Sequence, residues 1–273
     1  MNIACDPTFF PQKNTCSLWD SFKIQCRVVW ALILREIITR FGRHNIGFAW
    51  MFAEPMMLTA GVTILWNLIG GHHHGSISIT AFALTGYSCV LLWRNMPALT
   101  ECAVKMNLPL LYHRNVRVLD FFLARLLLQA AGATMSFIIL GIFFTWIGLI
   151  HPPEDLLKVL LGWVMSIFFG MSLAIYIGAL ATQYHIVEKI WHPFSYISFA
   201  FSGSAFLVDS LPSSAQKLIS WVPIVHGSEC IRDGFFGSQF KAHYSLSYMA
   251  ITSLILLFLG LLELKKATRL LEH

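Results

Sequence analysis

The stretch that decides the fold is Trp30–Gly70, which reads WALILREIITRFGRHNIGFAWMFAEPMMLTAGVTILWNLIG. From Trp30 to Arg43, apolar residues recur with helical spacing and charged residues take the opposite side. A bulky apolar face beside a basic face predicts an amphipathic helix in a membrane interface. From Ala49 to Gly70 the pattern is apolar all round except at Glu54-Pro55, and at ~1.5 Å per residue this run can cross a core of about 30 Å. The stretch therefore predicts an interfacial helix followed by a membrane-spanning helix.

The composition of the whole chain also indicates a membrane protein. Of its 273 residues, 56% are hydrophobic and 12% are charged, and the mean hydropathy is +0.66. Soluble domains carry about 25% charged residues, so an amphipathic helix buried in a soluble domain is the weaker alternative. Long unbroken apolar runs favour helices over the alternating pattern of a membrane β-barrel. We predict an all-α membrane protein.

Five further apolar segments follow the first span, so the sequence predicts six transmembrane helices in a domain of residues 49–264. The predicted spans are 49–70, 77–93, 119–150, 156–181, 193–208 and 246–264. A polar tail at 1–16 and the interfacial helix region at 17–48 precede this domain, and a basic tail at 265–273 follows it.

Two segments between the spans are of special interest. Residues 94–118 are predicted to form a long, partly polar cytoplasmic loop. Residues 209–245 are too polar and too often interrupted by proline to span. We interpret them either as short re-entrant helices that enter the outer leaflet or as an ordinary extracellular loop.

The distribution of basic residues predicts the orientation. Fifteen of the 19 Lys and Arg residues fall on the side of the termini and four on the opposite side. Both termini are therefore predicted to be cytoplasmic. The formal net charge of +5 then follows from topology and from contact with anionic membrane lipid, and it requires no nucleic-acid partner.

Sequence motifs for nucleotide binding, metal binding and hydrolysis are absent. The chain contains no G-x-x-x-x-G-K-[ST] phosphate-binding loop, no H-E-x-x-H and no G-x-S-x-G. The six cysteines lack zinc-site spacing, and the three neighbours His72–His74 on one turn cannot all point at one ion. We expect no metal and no cofactor on this chain.

One compact polar cluster could carry chemistry: His226, Glu229, Arg232 and Asp233 have helical spacing and can share a face. As an active site they would form an acid–base group of a membrane-embedded glycolipid-processing enzyme. As a structural element they would be an ion-paired face that holds a re-entrant helix. We favour the second interpretation because no nucleophile or metal set accompanies the cluster.

Aromatic residues are plentiful, with 22 Phe, 9 Trp and 7 Tyr, and their faces suit sugar rings. Several of them are candidates to line a glycan conduit, among them Trp66, Tyr87, Trp93, Tyr176 and Phe199. Glu54 is a costly carboxylate near the cytoplasmic end of the first span. We expect it to make a polar contact to the preceding helix, with a place in the conduit as the alternative.

Three motifs resemble the ABC-2 type permeases that export polysaccharides. The residues that fit the N-terminal signature are Leu34, Arg35, Glu36, Arg40, Phe41, Gly47, Trp50, Glu54 and Pro55. Those that fit the loop pattern are Asn107, Leu110, Arg114, Val116, Asp120, Ala124 and Arg125, with Asn115 where the pattern has proline. The third motif is the outer segment Trp221–Gly237, in which His226 favours the capsule-export branch over the O-antigen branch.

The resemblance implies a permease that moves lipid-linked capsular polysaccharide across the bacterial inner membrane. It implies a homodimer with two separate ABC ATPase subunits, which hold the ATP and Mg²⁺, and periplasmic and outer-membrane capsule export proteins as further partners. An O-antigen or teichoic-acid exporter is the alternative within the family.

The resemblance also implies roles for individual residues. The loop 94–118 would contain the coupling helix, with Glu101, Lys105, Asn107 and Arg114 as ATPase contacts. The interfacial helix would flank the cytoplasmic entrance, with contributions from Arg35, Glu36, Arg40, Arg43 and Glu54. The segment 209–245 would form the outer gate, with Trp221, His226, Glu229 and Arg232.

Overall fold

The computed structural model describes residues 18–41, 45–68, 78–111, 116–204 and 206–271, and no strand occurs among them. The helices are α1 (Leu18–Phe41), α2 (Asn45–Leu68), α3 (Ile79–Glu101), α4 (Ala103–Leu111), α5 (Val118–Trp146), α6 (Leu156–Gln183), α7 (His185–Ala200), α8 (Ser213–Ile219), α9 (Pro223–Phe236) and α10 (Leu246–Leu271). This part of the chain confirms the predicted all-α fold. The tail 1–16, Arg43, His72–His74 and Arg114 lie outside the described residues, as do the side chains of Arg40 and Glu54.

Three of the described helices are long and apolar enough to cross a membrane: α5, α6 and α10 over Leu246–Leu270. A shorter apolar stretch, Met56–Trp66, lies within α2. α3 contains most of the predicted span 77–93 but is less apolar than α5 and α6. α7 has 16 residues, begins eight residues before the predicted span 193–208 and ends at Ala200. The count of six spans therefore stays a prediction.

α6 lies at the centre of the bundle and is tied to its neighbours by polar as well as apolar contacts. Trp163 of α6 donates its indole N–H to Thr134 Oγ1 of α5 at 2.8 Å. Thr100 of α3 donates its hydroxyl to the Ala174 carbonyl of α6, also at 2.8 Å. Such interhelical hydrogen bonds stabilise packing where neighbouring side chains are mostly apolar.

Much of the predicted cytoplasmic loop 94–118 is helical. α3 continues beyond the predicted end of its span at Trp93, passes through Pro97 and ends at Glu101, and α4 begins after a break at Cys102. The polar residues Arg94 and Asn95 made this stretch resemble a loop. Met96, Pro97 and Thr100 are nevertheless buried, so tertiary packing favours continuation of the helix.

Candidate functional site

Polar side chains gather where α1 meets α4 and the first turns of α5. Arg35 of α1 donates from Nη1 to Asn107 Oδ1 of α4 at 2.6 Å. Glu36 of α1 places Oε1 2.9 Å from Nε of Arg125 on α5, and Arg125 Nη1 donates to the Leu99 carbonyl at 3.0 Å. We call these side chains, Arg35, Glu36, Asn107 and Arg125, the α1–α4 junction. They hold α1 against the rest of the protein by polar contacts.

The side of α1 that faces the protein is mixed, because it includes the apolar Leu32 and Ile33 as well as Glu36. Leu32, one turn before Glu36, packs with Phe121 and Ala124 of α5. Only part of the predicted apolar stripe points outward: Trp30 is 62% exposed and Ile38 is 58% exposed. These exposed residues are free to contact lipid, and the placement of α1 in a membrane interface stays a prediction.

A cavity of about 350 Å³ opens beside the junction. The residues that line it are Arg35, Glu36, Thr39, Ala98, Leu99, Cys102, Met106, Asn107 and Arg125. Asn107 is 4% exposed and also donates to the Ala103 carbonyl of its own helix at 2.8 Å. The predicted ATPase contact Asn107 therefore lies inside the junction, whereas Lys105 and Met106 form the exposed side of α4.

A second set of polar contacts joins the end of α3 and the start of α4 to α7. Lys105 Nζ lies 3.0 Å from Glu188 Oε2, and His192 Nε2 lies 3.7 Å from Glu101 Oε2. Glu101 is 2% exposed, and its Oε1 accepts no hydrogen bond from the described residues. Glu101 is therefore an interior carboxylate, so a contribution to ATPase coupling would act through α3 and α7.

The electrostatic environment moves the pKa values of these two carboxyl groups in opposite directions. Burial, reinforced by the nearby charge of Glu188, raises the pKa of Glu101 to about 7. The hydrogen bond from Lys105 lowers the pKa of Glu188, and a weaker one from Cys102 adds to this effect. Near neutral pH, Glu188 is thus an anion paired with Lys105, and Glu101 is partly protonated.

The sequence analysis assigned no role to Arg125 and Asp120, although both belong to the second motif. Asp120 accepts hydrogen bonds from the Arg117 backbone N–H at 2.8 Å and from the side chain of Gln25 on α1. Asp120 therefore caps the first turn of α5 and also links α5 to α1. The available signal was two charged residues in the first turns of a strongly apolar helix, where charges require partners.

The outer segment contains a helix, α9, that is buried along one side of α6. A Cβ added at Gly227 of α9 would lie 2.3 Å from Ser166 Oγ of α6. A Cβ added at Gly162 of α6 would lie 2.9 Å from the backbone nitrogen of Ile231. The two glycines therefore permit the backbones of α6 and α9 to approach closely.

Arg232 of α9 is completely buried, and its guanidinium binds main-chain oxygens. Nη1 donates to the carbonyls of Gly203 at 2.6 Å and Phe206 at 3.0 Å, and Nη2 donates to Ser204 at 2.9 Å. The guanidinium carbon also lies 4.0 Å from the centre of the Phe82 ring of α3. Arg232 thus fixes the turn that follows α7.

His226 and Glu229 connect α9 to the chain before α10. His226 Nδ1 accepts the Ser245 N–H at 3.2 Å, so Nε2, 3.0 Å from the Ser220 carbonyl, carries the proton and donates it. Burial lowers the pKa of His226, in agreement with this neutral form. Glu229 Oε2 accepts the His243 N–H at 3.2 Å. These bonds make His226 and Glu229 structural links to the backbone.

The predicted ion-paired face is therefore only partly ionic. Asp233 does pair with Lys158 of α6 at 2.8 Å. Within the described part of the chain, Arg232 and Glu229 have no partner of opposite charge within 4.0 Å, because backbone groups bind them instead. The side chain of Trp221 is 76% exposed, and its carbonyl accepts the Tyr248 hydroxyl at 2.9 Å.

The candidate conduit aromatics fall into different environments. Tyr87 of α3 and Phe199 of α7 contact each other edge to face with ring centres 6.2 Å apart. Trp66 of α2 stacks on Phe82, and Tyr176 of α6 is half-buried. Trp93 is 2% exposed and belongs to the core, so within this chain it lines no open surface.

Comparison with known proteins gives consistent matches along the chain. The family model of the ABC-2 type transporter matches residues 27–236, from α1 to the end of α9. The chain is 38% identical to the capsule polysaccharide export inner-membrane protein CtrC of Neisseria meningitidis serogroup B, over 93% of this chain and 96% of the relative. It is 38% identical to the capsule polysaccharide export inner-membrane protein BexB of Haemophilus influenzae, over 92% and 95%. With the polysialic acid transport protein KpsM of Escherichia coli it shares 26% identity, over 88% and 93%.

Proposed function

We propose a function whose premise is that this chain belongs to the ABC-2 type transporter family. The protein is the permease subunit of an ABC exporter for capsular polysaccharide in the inner membrane. The observation that carries this conclusion is the end-to-end match to relatives named for capsule polysaccharide export, which covers 93% of this chain and 96% of one relative. The chain is thus a transport component, and ATP hydrolysis lies in a separate subunit.

We further propose the finer features that the sequence predicts. Two copies of the chain form the pathway with two ATPase subunits, and the cargo is a lipid-linked glycan passed to periplasmic and outer-membrane proteins. α2, α3 and α7 complete the six spans, and both termini are cytoplasmic. The names of the relatives favour capsule export over O-antigen or teichoic-acid export.

The exposed side of α4 is the proposed contact with the ATPase. Lys105 and Met106 are both exposed there. Met106, at 66%, also borders the junction cavity, with its sulfur 3.7 Å from Arg125 Nη2. Asn107, on the side of α4 away from Lys105, accepts from Arg35 of α1. A displacement of α4 would therefore be transmitted to α1 through this hydrogen bond. It would be transmitted to α3 through the chain at Cys102. Rigid-body shifts of this kind are common in ATP-driven switches.

α9 is proposed as the fixed outer element against which the pathway opens. Its buried contacts to α6 and to the turn after α7 involve main-chain groups, which leave little freedom to rearrange. Trp221, whose side chain is exposed just before α9, is proposed to contact cargo.

Co-purification with the ATPase tests this proposal. Membranes of a capsule-producing strain are solubilised, the tagged chain is isolated, and the amount of ATP-hydrolysing subunit is measured. We expect equal amounts of the two proteins, and loss of the ATPase in Met106→Glu. Leu270→Glu is a matched control, because Leu270 is also 66% exposed and lies in the last turn of α10. Recovery of the chain without an ATPase, or unchanged recovery in Met106→Glu, would contradict the proposal.

A further inference from the structure

α3 and α7 meet along a line of contacts that we call the α3–α7 seam. Each helix contributes three residues, namely Tyr87, Arg94 and Glu101 from α3 and Phe199, Tyr196 and His192 from α7. The α3 residues are seven apart and the α7 residues three or four apart, so each set shares a helix face. Because the α3 numbers rise while the α7 numbers fall, the two helices are antiparallel.

The character of the contact changes along the seam. Tyr87 and Phe199 form an aromatic pair with ring centres 6.2 Å apart. In the next contact the guanidinium carbon of Arg94 lies 4.3 Å from the centre of the Tyr196 ring. The last contact is the acid–imidazole pair of Glu101 and His192 described above. Along the seam, Arg94 thus lies between the aromatic pair Tyr87–Phe199 and the carboxylate of Glu101, which is already paired with His192.

Arg94 differs in its partners from Arg125 of the α1–α4 junction and from Arg232 of α9. Arg125 has a carboxylate and a carbonyl as partners, and Arg232 has three carbonyls. Arg94 has no carboxylate within 4.0 Å and no hydrogen-bond acceptor among the residues that the structure describes. It is half-buried, and the ring beneath it occupies one face of the guanidinium while leaving the N–H groups at the edge without a protein acceptor.

An arginine that has no counterion in the protein keeps its charge available to an anionic ligand. The guanidinium edge presents paired donors that match the two oxygens of a carboxylate or phosphate. Tyr196 is 63% exposed, so a ligand that reaches the guanidinium also meets an aromatic face. Aromatic faces suit sugar rings, and Tyr87 and Phe199 continue the same apolar surface.

We propose that Arg94, stacked on Tyr196, binds the acidic groups of the transported glycan. The site takes oxyanions, carboxylate or phosphate, carried by sugars whose rings lie on the aromatic residues of the α3–α7 seam. This inference rests on the proposed export function and deepens it, because it names Arg94 as the residue that recognises acidic groups of the glycan.

Binding of two matched probes tests the inference. The purified permease–ATPase complex is placed in nanodiscs of zwitterionic lipid, and Kd is measured for a lipid-linked oligosaccharide with carboxylate-bearing sugars and for the same compound with its carboxylates reduced to alcohols. We expect Arg94→Gln to raise the Kd for the acidic probe roughly tenfold, as for loss of a charge-assisted hydrogen bond. The Kd for the neutral probe should stay unchanged. Lys265→Gln removes an exposed charge at the far end of α10 and should change neither Kd.

Two further variants separate binding from folding. Arg94→Lys keeps the charge without the planar fork and should bind the acidic probe with intermediate affinity, whereas Tyr196→Phe keeps the ring and should bind like the wild type. If Arg94→Gln raised Kd equally for both probes, or for neither, the inference would be overturned while the proposed export function would stand. The inference would also fall if the variant lost affinity only in discs that contain phosphatidylglycerol, since Arg94 would then bind bulk lipid. Wild-type complex that binds neither probe would overturn the export function as well.

Discussion

The α1–α4 junction and the α9 region each hold a buried arginine, but they hold it in different ways. Arg125 pairs with the Glu36 side chain of a largely exposed helix, beside a cavity of about 350 Å³. Arg232 is 0% exposed and binds three main-chain carbonyls. A contact between two side chains beside open space can separate and form again. Buried carbonyls have no other donor, so α9 is suited to a fixed role and the junction to movement.

The largest expected effect follows removal of the arginine in the α9 region. Arg232→Met should destabilise the protein by about 3–5 kcal/mol, because the carbonyls of Gly203, Ser204 and Phe206 stay buried without donors. Thermal unfolding of the purified protein in detergent measures this effect. Lys241→Met, at an exposed position of the same outer segment, is the control and should leave the melting temperature nearly unchanged. A stable Arg232→Met would show that α9 is not the fixed element.

A second, smaller effect tests the close contact between α6 and α9. Gly227→Ala should cost about 1–3 kcal/mol, since the new methyl group would overlap Ser166 Oγ, 2.3 Å from the ideal Cβ position. Adding Ser166→Ala should recover part of the loss, because it removes the atom that is overlapped. At Gly61 of α2 no atom lies within 4 Å of an added Cβ, so Gly61→Ala serves as a neutral control. Equal melting temperatures for the Gly61 and Gly227 variants would contradict this packing.

The sequence predicted the helical class, because it depends on local pattern, while the interfacial position of α1 stays a prediction. It did not predict which side of α1 meets the protein. Arg35 and Glu36 resemble solvent-facing charges until Asn107 and Arg125, far along the chain, are placed beside them. In the same way, α3 continues past Arg94 because distant α6 residues bury Met96 and Thr100. Contacts between segments far apart in the chain determine the orientation of α1 and the length of α3, and local periodicity does not predict such contacts.

A double-mutant cycle measures the coupling between Glu36 and Arg125 in the α1–α4 junction. For Glu36→Gln and Arg125→Gln we expect a coupling energy of roughly 1–2 kcal/mol, because both side chains are shielded from water, with 12% and 9% of their surface exposed. The exposed pair Lys105–Glu188, at 41% and 31%, is the matched control and should couple by less than about 1 kcal/mol. Thermal unfolding of the single and double variants gives both values. Equal coupling in the two pairs would mean that the junction is an ordinary surface contact.

The pH dependence of stability gives a further test, because Glu101 of the α3–α7 seam and His226 of α9 should respond in opposite directions. Glu101 has a pKa raised from 4.5 to about 7, so burial of the carboxylate becomes increasingly unfavourable and stability falls as pH rises between these values. Glu101→Gln should remove this slope. The pKa of His226 is lowered from 6.5, so its contribution is complete above pH 6.5 and is lost as pH falls. Melting temperatures from pH 5 to 8, compared among the wild type, Glu101→Gln and His226→Asn, check both signs, and an unchanged slope in either variant would contradict the corresponding assignment.

The central claim is that the α1–α4 junction transmits ATPase motion to the membrane helices while α9 stays fixed. The most direct test is the amount of glycan transported per ATP hydrolysed, measured in proteoliposomes that contain the permease–ATPase complex with Arg125→Gln or with wild-type chain. We predict that the variant retains the ATPase in equal amount and continues to hydrolyse ATP, while transport per ATP falls several-fold. A ratio equal to that of the wild type, with the Glu36–Arg125 contact removed, would contradict the claim.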